Sequence, residues 1–163
     1  MNYHNITKDD MLNGDGLRTV LWLAGCEHRC PNCQNPVTWD VNDGLVFGEA
    51  AHAELMELLS RDYISGITFS GGDPLHPLNR QGVLELCKEI KKIYPQKTIW
   101  MYTGYDWEDI CGLAIMKYVN VLIDGKYIEA VRNTQLKWRG SSNQRVIDVQ
   151  KSLSVNAVVL YEK

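Results

Sequence analysis

Three cysteines crowd one short segment of the chain. Cys26, Cys30 and Cys33 are spaced C-x3-C-x2-C, and they directly follow an apolar run, residues 19–24, that is typical of a buried β-strand. Three thiolates on one tight loop can hold three corners of a four-iron cluster and leave the fourth iron open to another ligand. The spacing therefore predicts a metal or iron–sulfur site on a loop after a strand.

Two other uses of these cysteines compete with a cluster. A disulfide framework needs an even number of cysteines and a secreted protein, whereas this chain has five cysteines and lacks the charged-then-apolar start of a signal peptide. A zinc site of the three cysteines and His28 stays open, although zinc sites usually bring a second Cys or His pair. Cys87 and Cys111 fall in apolar helix patterns and are expected in the core.

Predicted strands and helices alternate along the rest of the chain. Strands are predicted at residues 17–24, 64–69, 98–102 and 119–123, and helices at residues 49–61, 78–94 and 107–116. Weaker patterns indicate a polar arm at residues 1–13, a short helix at 127–133, and short strands at 135–139, 145–149 and 157–161. The alternation predicts an α/β fold with a mainly parallel sheet, in one domain over residues 1–163. Because the chain is too short for eight βα units, we expect a partial (open) βα barrel.

Glycine-rich or charged residues recur directly after the predicted strands. Ser-Gly-Gly-Asp-Pro follows the second strand at residues 70–74, Thr103-Gly104 follows the third, and Asp124-Gly125-Lys126 follows the fourth. Since the sites of parallel α/β sheets lie at the carboxyl ends of the strands, we expect these segments to meet the cysteine loop. Two successive glycines also allow the backbone to approach a ligand closely.

Several segments, taken together and in order, resemble one enzyme family. Besides the cysteines they are Met1-Asn2-Tyr3, Asn13-Gly14-x-Gly16, residues 71–77, residues 103–105 and residues 138–144. The cysteine spacing resembles the cluster motif of the radical S-adenosylmethionine enzymes. The whole set, from residue 1 to about residue 147, resembles the activating proteins of anaerobic (class III) ribonucleoside-triphosphate reductase.

The resemblance implies a fold, cofactors and a reaction. The fold would be a partial barrel, with a [4Fe–4S] cluster on Cys26, Cys30 and Cys33 and S-adenosylmethionine on the open iron. Reductive cleavage would give methionine and a 5′-deoxyadenosyl radical, with the protein supplying positioning and exclusion of water. That radical would take a hydrogen atom from a glycine on a loop of the reductase, leaving a glycyl radical.

Contacts to S-adenosylmethionine are expected at the strand ends and in the cysteine loop, from Gly71, Gly72, Asp73, Thr103, Asp124, Lys126 and Asn32. The residues after the third and fourth strands are placed to contact the ribose or the methionyl carboxylate. The segment from Gly71 to Asp73 would hold the methionyl ammonium, and Lys126 could pair with the methionyl carboxylate. Asn32 stands where the wider superfamily often has an aromatic residue near adenine, so the adenine contact is left open. The polar residues 139–144 would belong to the same pocket.

Composition and resemblance together limit the partners. A net charge of −3 without a long basic run argues against nucleic acid as a partner, and no apolar run reaches the roughly 20 residues of a membrane helix. The cysteines and the missing signal peptide favour a reducing cytoplasm. The resemblance implies the anaerobic reductase as partner and a small flavoprotein as electron donor; a monomer and a homodimer both stay open. His28 lies inside the cysteine loop and could form a hydrogen bond near the cluster, but an exposed position on the loop surface is favoured.

Two alternative functions stay open at this point. The chain could be another radical enzyme, either an activase of a different glycyl-radical enzyme or one that acts on a small molecule. It could also be an iron–sulfur electron-transfer protein, although the presence of only three clustered cysteines argues against that, because a ferredoxin normally supplies four per cluster.

Overall fold

One mixed sheet of seven strands forms the centre of the computed structural model, which describes residues 1–163. The strands are β1 (Asn2–Asp10), β2 (Arg18–Leu23), β3 (Leu45–Val46), β4 (Gly66–Gly71), β5 (Thr98–Tyr102), β6 (Val121–Asp124) and β7 (Arg145–Asp148). Their order in the sheet is β3-β1-β2-β4-β5-β6-β7. The central strands β2, β4, β5 and β6 are parallel, and the flanking strands pair antiparallel.

Four helices complete the fold: α1 (Glu49–Leu59), α2 (Arg80–Ile93), α3 (Trp107–Ile110) and α4 (Val149–Val155). Short 3₁₀ turns lie at Pro36–Thr38, Ala114–Lys117 and Glu129–Val131. None of the helices combines the length and the apolar composition that a membrane span requires.

The two faces of the sheet carry different residues because successive side chains of a strand point to opposite sides. One face joins buried side chains of α1 and α2 in the main core, with Ile67 and Phe69 from β4 and Met101 from β5. The other face carries polar and aromatic side chains, including Trp22 and Tyr102. This second face forms a wall of the cavity described below.

The α/β class and the four central parallel strands confirm the sequence prediction. The sheet is not closed, because β3 and β7 stand at opposite edges. The partial barrel itself stays a prediction, because the pairing of the strands gives their order in the sheet and does not measure how far the sheet curves. The mainly parallel description holds for the centre of the sheet and not for its edges.

Several local predictions differ from the structure. Residues 1–13 are not an arm: β1 occupies most of them, and the polar pattern hid it because Ile6 is its one buried side chain. Residues 135–139 form no strand, and 157–161 contribute one isolated bridge, from Leu160 to Ile147. The helix α4 was missed. It begins where the Asp148 side chain accepts a hydrogen bond from the Lys151 N–H.

A fully buried arginine ties the amino-terminal side of the sheet together. Arg18, the first residue of β2, donates from Nε to the Thr68 hydroxyl (2.9 Å) and from Nη1 to the Thr98 hydroxyl (2.9 Å) and the Asp15 carbonyl (3.0 Å). Its Nη2 donates to the carbonyls of Ile67 (2.7 Å) and Thr98 (2.9 Å). Burial lowers the pKa of Arg18 to about 10.

The segment from Tyr161 to Lys163 covers this side of the sheet. The Tyr161 ring lies 5.2 Å from the Trp100 ring and 5.9 Å from the Trp138 ring, centroid to centroid. Its hydroxyl donates to Asp15 (3.2 Å), and Lys163 Nζ lies 2.6 Å from the other Asp15 oxygen. The hydrogen bond from Lys163 lowers the pKa of Asp15.

Candidate functional site

A cavity of about 560 Å³ brings the cysteine loop together with the strand-end loops. Cys26, Cys30 and Cys33 line it, together with the glycine-rich loop after β4 and the Thr103-Gly104 turn after β5. Its floor is the polar and aromatic face of the sheet. Segments that are far apart in sequence therefore share one cavity.

The cysteine loop is shaped by local hydrogen bonds. Its ends are joined where the Gly25 N–H donates to the Thr38 carbonyl (2.7 Å) and the Cys26 N–H donates to the Trp39 carbonyl (3.0 Å). Within it, the Cys33 N–H donates to the Cys30 carbonyl (3.1 Å) and makes a tight turn. All five cysteines are free thiols, and burial raises the pKa of Cys26 to about 11.

The three thiols are the donor type that a four-iron cluster takes, with one thiolate on each of three irons. They stand on one loop and line one cavity, which suits a cluster held by three corners. The N–H of Asn35 also donates to the Cys33 sulfur (3.4 Å), the kind of contact that tunes a cluster.

Asp73 is the centre of a buried hydrogen-bond network. Its side chain is 2% exposed, and its carboxylate accepts hydrogen bonds from the Leu75 N–H (2.8 Å), the Gly104 N–H (2.9 Å) and the Thr103 hydroxyl (2.9 Å). His28 Nε2 lies 2.6 Å from Asp73 Oδ2. A single carboxylate therefore connects the loops that follow β2, β4 and β5.

Backbone contacts bring the same loops close together. The N–H of Asp73 donates to the Gly25 carbonyl (2.7 Å), and the buried Asn79 side chain donates to the carbonyls of Ala24 (2.8 Å) and Asp73 (3.2 Å). A Cβ added at Gly72 would lie 2.5 Å from the Gly25 carbonyl oxygen. The glycine at 72 is thus required for loop-to-loop packing, beyond the approach to a ligand that the sequence indicated.

The predicted site residues divide into two groups. Those that line the cavity are Cys26, Cys30, Cys33, Gly71, Gly72, Asp73 and Thr103. Those that do not line it are Asn32, Asp124 and Lys126. From the polar segment 139–144, Arg139, Gly140 and Gln144 line the cavity.

The three predicted residues outside the cavity, Asp124, Lys126 and Asn32, lie in other environments. Asp124 is 1% exposed and forms an ion pair with Arg145 (2.5 Å), while it also accepts the N–H of Trp107 (2.9 Å). The pKa of Arg145 is raised by its hydrogen bonds to Asp124 and Glu108. Lys126 is exposed outside the cavity, and so is Asn32, whose backbone is left-handed with φ +58°.

The expectation for His28 was wrong. Its side chain is 6% exposed, with the Asp73 carboxylate on one side and the Tyr105 ring packed edge-on at 4.5 Å. No local pattern could have indicated this, because Asp73 lies 45 residues further along the chain. Asn79 was missed for the same reason.

Comparisons with known proteins match this region of the chain. A family model described as a 4Fe-4S single cluster domain matches residues 12–147, which include every residue that lines the cavity. An anaerobic ribonucleoside-triphosphate reductase-activating protein of Enterobacteria phage T4 is 46% identical over 146 residues, covering 90% of this chain and 93% of the phage protein. Proteins of the same name from Escherichia coli (strain K12) and Haemophilus influenzae are 41% and 38% identical, over 90% and 88% of this chain and 97% and 96% of their own lengths.

The chain belongs to the family of anaerobic ribonucleoside-triphosphate reductase-activating proteins. An iron–sulfur cluster is held by cysteine thiolates, and Cys26, Cys30 and Cys33 all lie within the matched residues 12–147.

Proposed function

We propose that the chain is an activase that cleaves S-adenosylmethionine reductively at a [4Fe–4S] cluster and generates a glycyl radical on anaerobic ribonucleoside-triphosphate reductase. One observation carries this proposal. Three free cysteines share the wall of a cavity of about 560 Å³ with the loop at Gly71–Asp73, in a member of this family. The cavity has room for an organic cofactor beside a cluster.

Cys26, Cys30 and Cys33 would hold the cluster in its three-thiolate form. When bound, the cluster would supply the electron that breaks the carbon–sulfur bond of S-adenosylmethionine. The chain's own part is to orient the sulfonium and to exclude water from the radical that forms. The buried loops around Asp73 provide a rigid wall for that purpose.

Unpaired polar groups on the cavity wall are suited to the methionyl end of S-adenosylmethionine. The Ser70 hydroxyl and the Gly72 carbonyl make no hydrogen bond within the chain, so both are free to accept one from an ammonium group. Asp73 is occupied by its neighbours and would act by shaping the loop. For the carboxylate, Arg132 lines the cavity without an ion-pair partner and is better placed than Lys126.

The same proposal covers the partners. The glycine-bearing loop of the reductase would enter the open cavity, and a small flavoprotein would supply the electron.

Four other expectations stay predictions: the cytoplasmic location, the single domain, the partial barrel, and the roles of Thr103, Asp124, Lys126 and Asn32 in binding S-adenosylmethionine.

Electron paramagnetic resonance under anaerobic conditions tests the proposal. The reconstituted protein is reduced and mixed with S-adenosylmethionine and the reductase, and a glycyl-radical doublet is expected. Cys30→Ala should abolish the doublet by removing a cluster ligand. Cys111→Ala, which changes a cysteine outside the cavity, is the matched control and should preserve the doublet.

The other outcomes separate the alternatives. Release of 5′-deoxyadenosine without a doublet on this reductase would favour another glycyl-radical enzyme as the substrate. A reduced cluster that does not respond to S-adenosylmethionine would overturn the activase and leave an electron-transfer protein.

A further inference from the structure

We propose that His28 is a positioning residue whose hydrogen bond to Asp73 fixes the cysteine loop against the strand-end loops. The inference rests on the proposed function and concerns the same cavity. His28 lies two residues after Cys26 and two before Cys30, so its position determines where both thiols stand. The hydrogen bond would set the distance between the cluster and the bound sulfonium.

The cysteine loop has few other attachments to the strand-end loops. Between Cys26 and Cys33, two side chains bond to them: His28 to Asp73 and Glu27 to the Tyr105 hydroxyl (2.6 Å). The Glu27 bond is exposed to solvent, which weakens it. The His28 bond joins two side chains that are only 6% and 2% exposed, and it connects the loop to a carboxylate that accepts three other hydrogen bonds.

The surroundings of the imidazole are built to fit it. A Cβ added at Gly104 would lie 2.4 Å from the His28 ring, so the ring packs directly on the glycine backbone. The Tyr105 ring meets it at an interplanar angle of 75°. The hydrogen bond is therefore supported by packing on two sides and has one preferred geometry.

Two amide variants isolate the hydrogen bond. His28→Gln places an amide N–H near the position of Nε2 and can still donate to Asp73. His28→Asn has the same amide on a side chain one carbon shorter and cannot reach. His52→Asn breaks a half-exposed His–Glu89 pair of 2.7 Å elsewhere and is the matched control.

The first measurement uses the iron-free protein. Trypsin separates Cys26 in peptide 19–29 from Cys30 and Cys33 in peptide 30–61, and the core cysteine Cys87 lies in peptide 81–88. Brief alkylation followed by mass spectrometry gives the accessibility of each peptide. Because alkylation of a partly buried thiol requires local opening, His28→Asn should raise the rate at Cys26 about tenfold, while Cys87, which reports global opening, stays unchanged.

The second measurement uses the reconstituted protein. The spectrum of the reduced cluster is followed while S-adenosylmethionine is added. Wild type, His28→Gln and His52→Asn should respond over the same concentration range, and His28→Asn should need about tenfold more.

Each outcome decides the proposal. Equal behaviour of the Asn and Gln variants, or a parallel rise at Cys87, would overturn it, because the hydrogen bond would then be irrelevant or merely structural. If wild type holds no cluster or ignores S-adenosylmethionine, the proposed function fails. In that case the alkylation rates still decide whether His28 fixes the loop.

Discussion

One charged side chain is buried at each end of the parallel strands β2, β4 and β5. Toward their amino-terminal ends, Arg18 donates to carbonyl and hydroxyl oxygens of β4 and β5. Beyond their carboxyl ends, Asp73 accepts from N–H groups, a hydroxyl and an imidazole in the loops that follow the same strands. Both charges are surrounded mainly by dipoles.

The surroundings of the two charges differ. The Arg18 side is closed, with Tyr161 against Trp100 and Lys163 on Asp15. The Asp73 side opens into the cavity of the cysteines. A buried charge is tolerated only when its hydrogen bonds are satisfied, so each network is sensitive to change. The comparison indicates that Arg18 serves the stability of the sheet and Asp73 serves the geometry of the site.

Arg18→Leu should give the largest loss of stability. Three carbonyl contacts and two hydroxyl contacts lose their donor, and we expect the free energy of unfolding to fall by about 3–5 kcal/mol. Urea unfolding measures this, with Arg61→Leu on the surface as a control that should leave the midpoint unchanged. A loss below about 1 kcal/mol would contradict a structural role for this buried network.

Asp73→Asn should have a smaller effect on stability and a larger one on the site. The amide keeps the shape of the carboxylate but turns N–H groups toward the donors of Thr103, Gly104 and His28, so we expect a loss of about 1–3 kcal/mol. The concentration of S-adenosylmethionine that changes the cluster spectrum should rise at least about tenfold.

Asp106→Asn is the control for that variant, because the Asp106 side chain makes no capping bond. If Asp73→Asn destabilised the protein as much as Arg18→Leu while the response to S-adenosylmethionine stayed normal, the two networks would not differ in role.

The smallest effect is expected from Lys163→Met. The folded pKa of Asp15 is lowered by Lys163, so the pair stabilises the fold above the ordinary pKa of about 3.9, and this contribution is lost as pH falls through the folded value. Wild type should therefore exceed the variant slightly in stability near neutral pH and equal it in strong acid. Urea midpoints across that range measure the difference. A gap that persists in acid would show that Lys163 acts through packing.

The strands and helices that were predictable from sequence have strong local patterns. β5 is found at the predicted residues because its apolar run is bounded by Pro95 and Gly104, and α2 carries a clear apolar stripe. β1 escaped prediction because antiparallel pairing with β2, and not burial, holds most of it in place. Gly112 interrupted the predicted third helix, since glycine is a poor helix former.

The site was predictable only where its signal is local. The spacing of Cys26, Cys30 and Cys33 indicates a shared ligand by itself. The link from His28 to Asp73 spans 45 residues, and no spacing rule contains it. Asp124 had the pattern of a site residue, but Arg145, 21 residues further on, occupies its carboxylate. Charged residues at strand ends therefore need their partners known before a role is assigned.

The contact between Gly104 and the His28 ring also constrains how sequences of this kind can diverge. Because any side chain at 104 would overlap the imidazole, a mutation there is tolerable only after position 28 has become smaller. A larger residue at 28 is excluded while glycine stands at 104, since it would meet the backbone of 104. Residues 28 and 104 should therefore change together during evolution, and chains that carry alanine or serine at 104 are expected to lack histidine at 28.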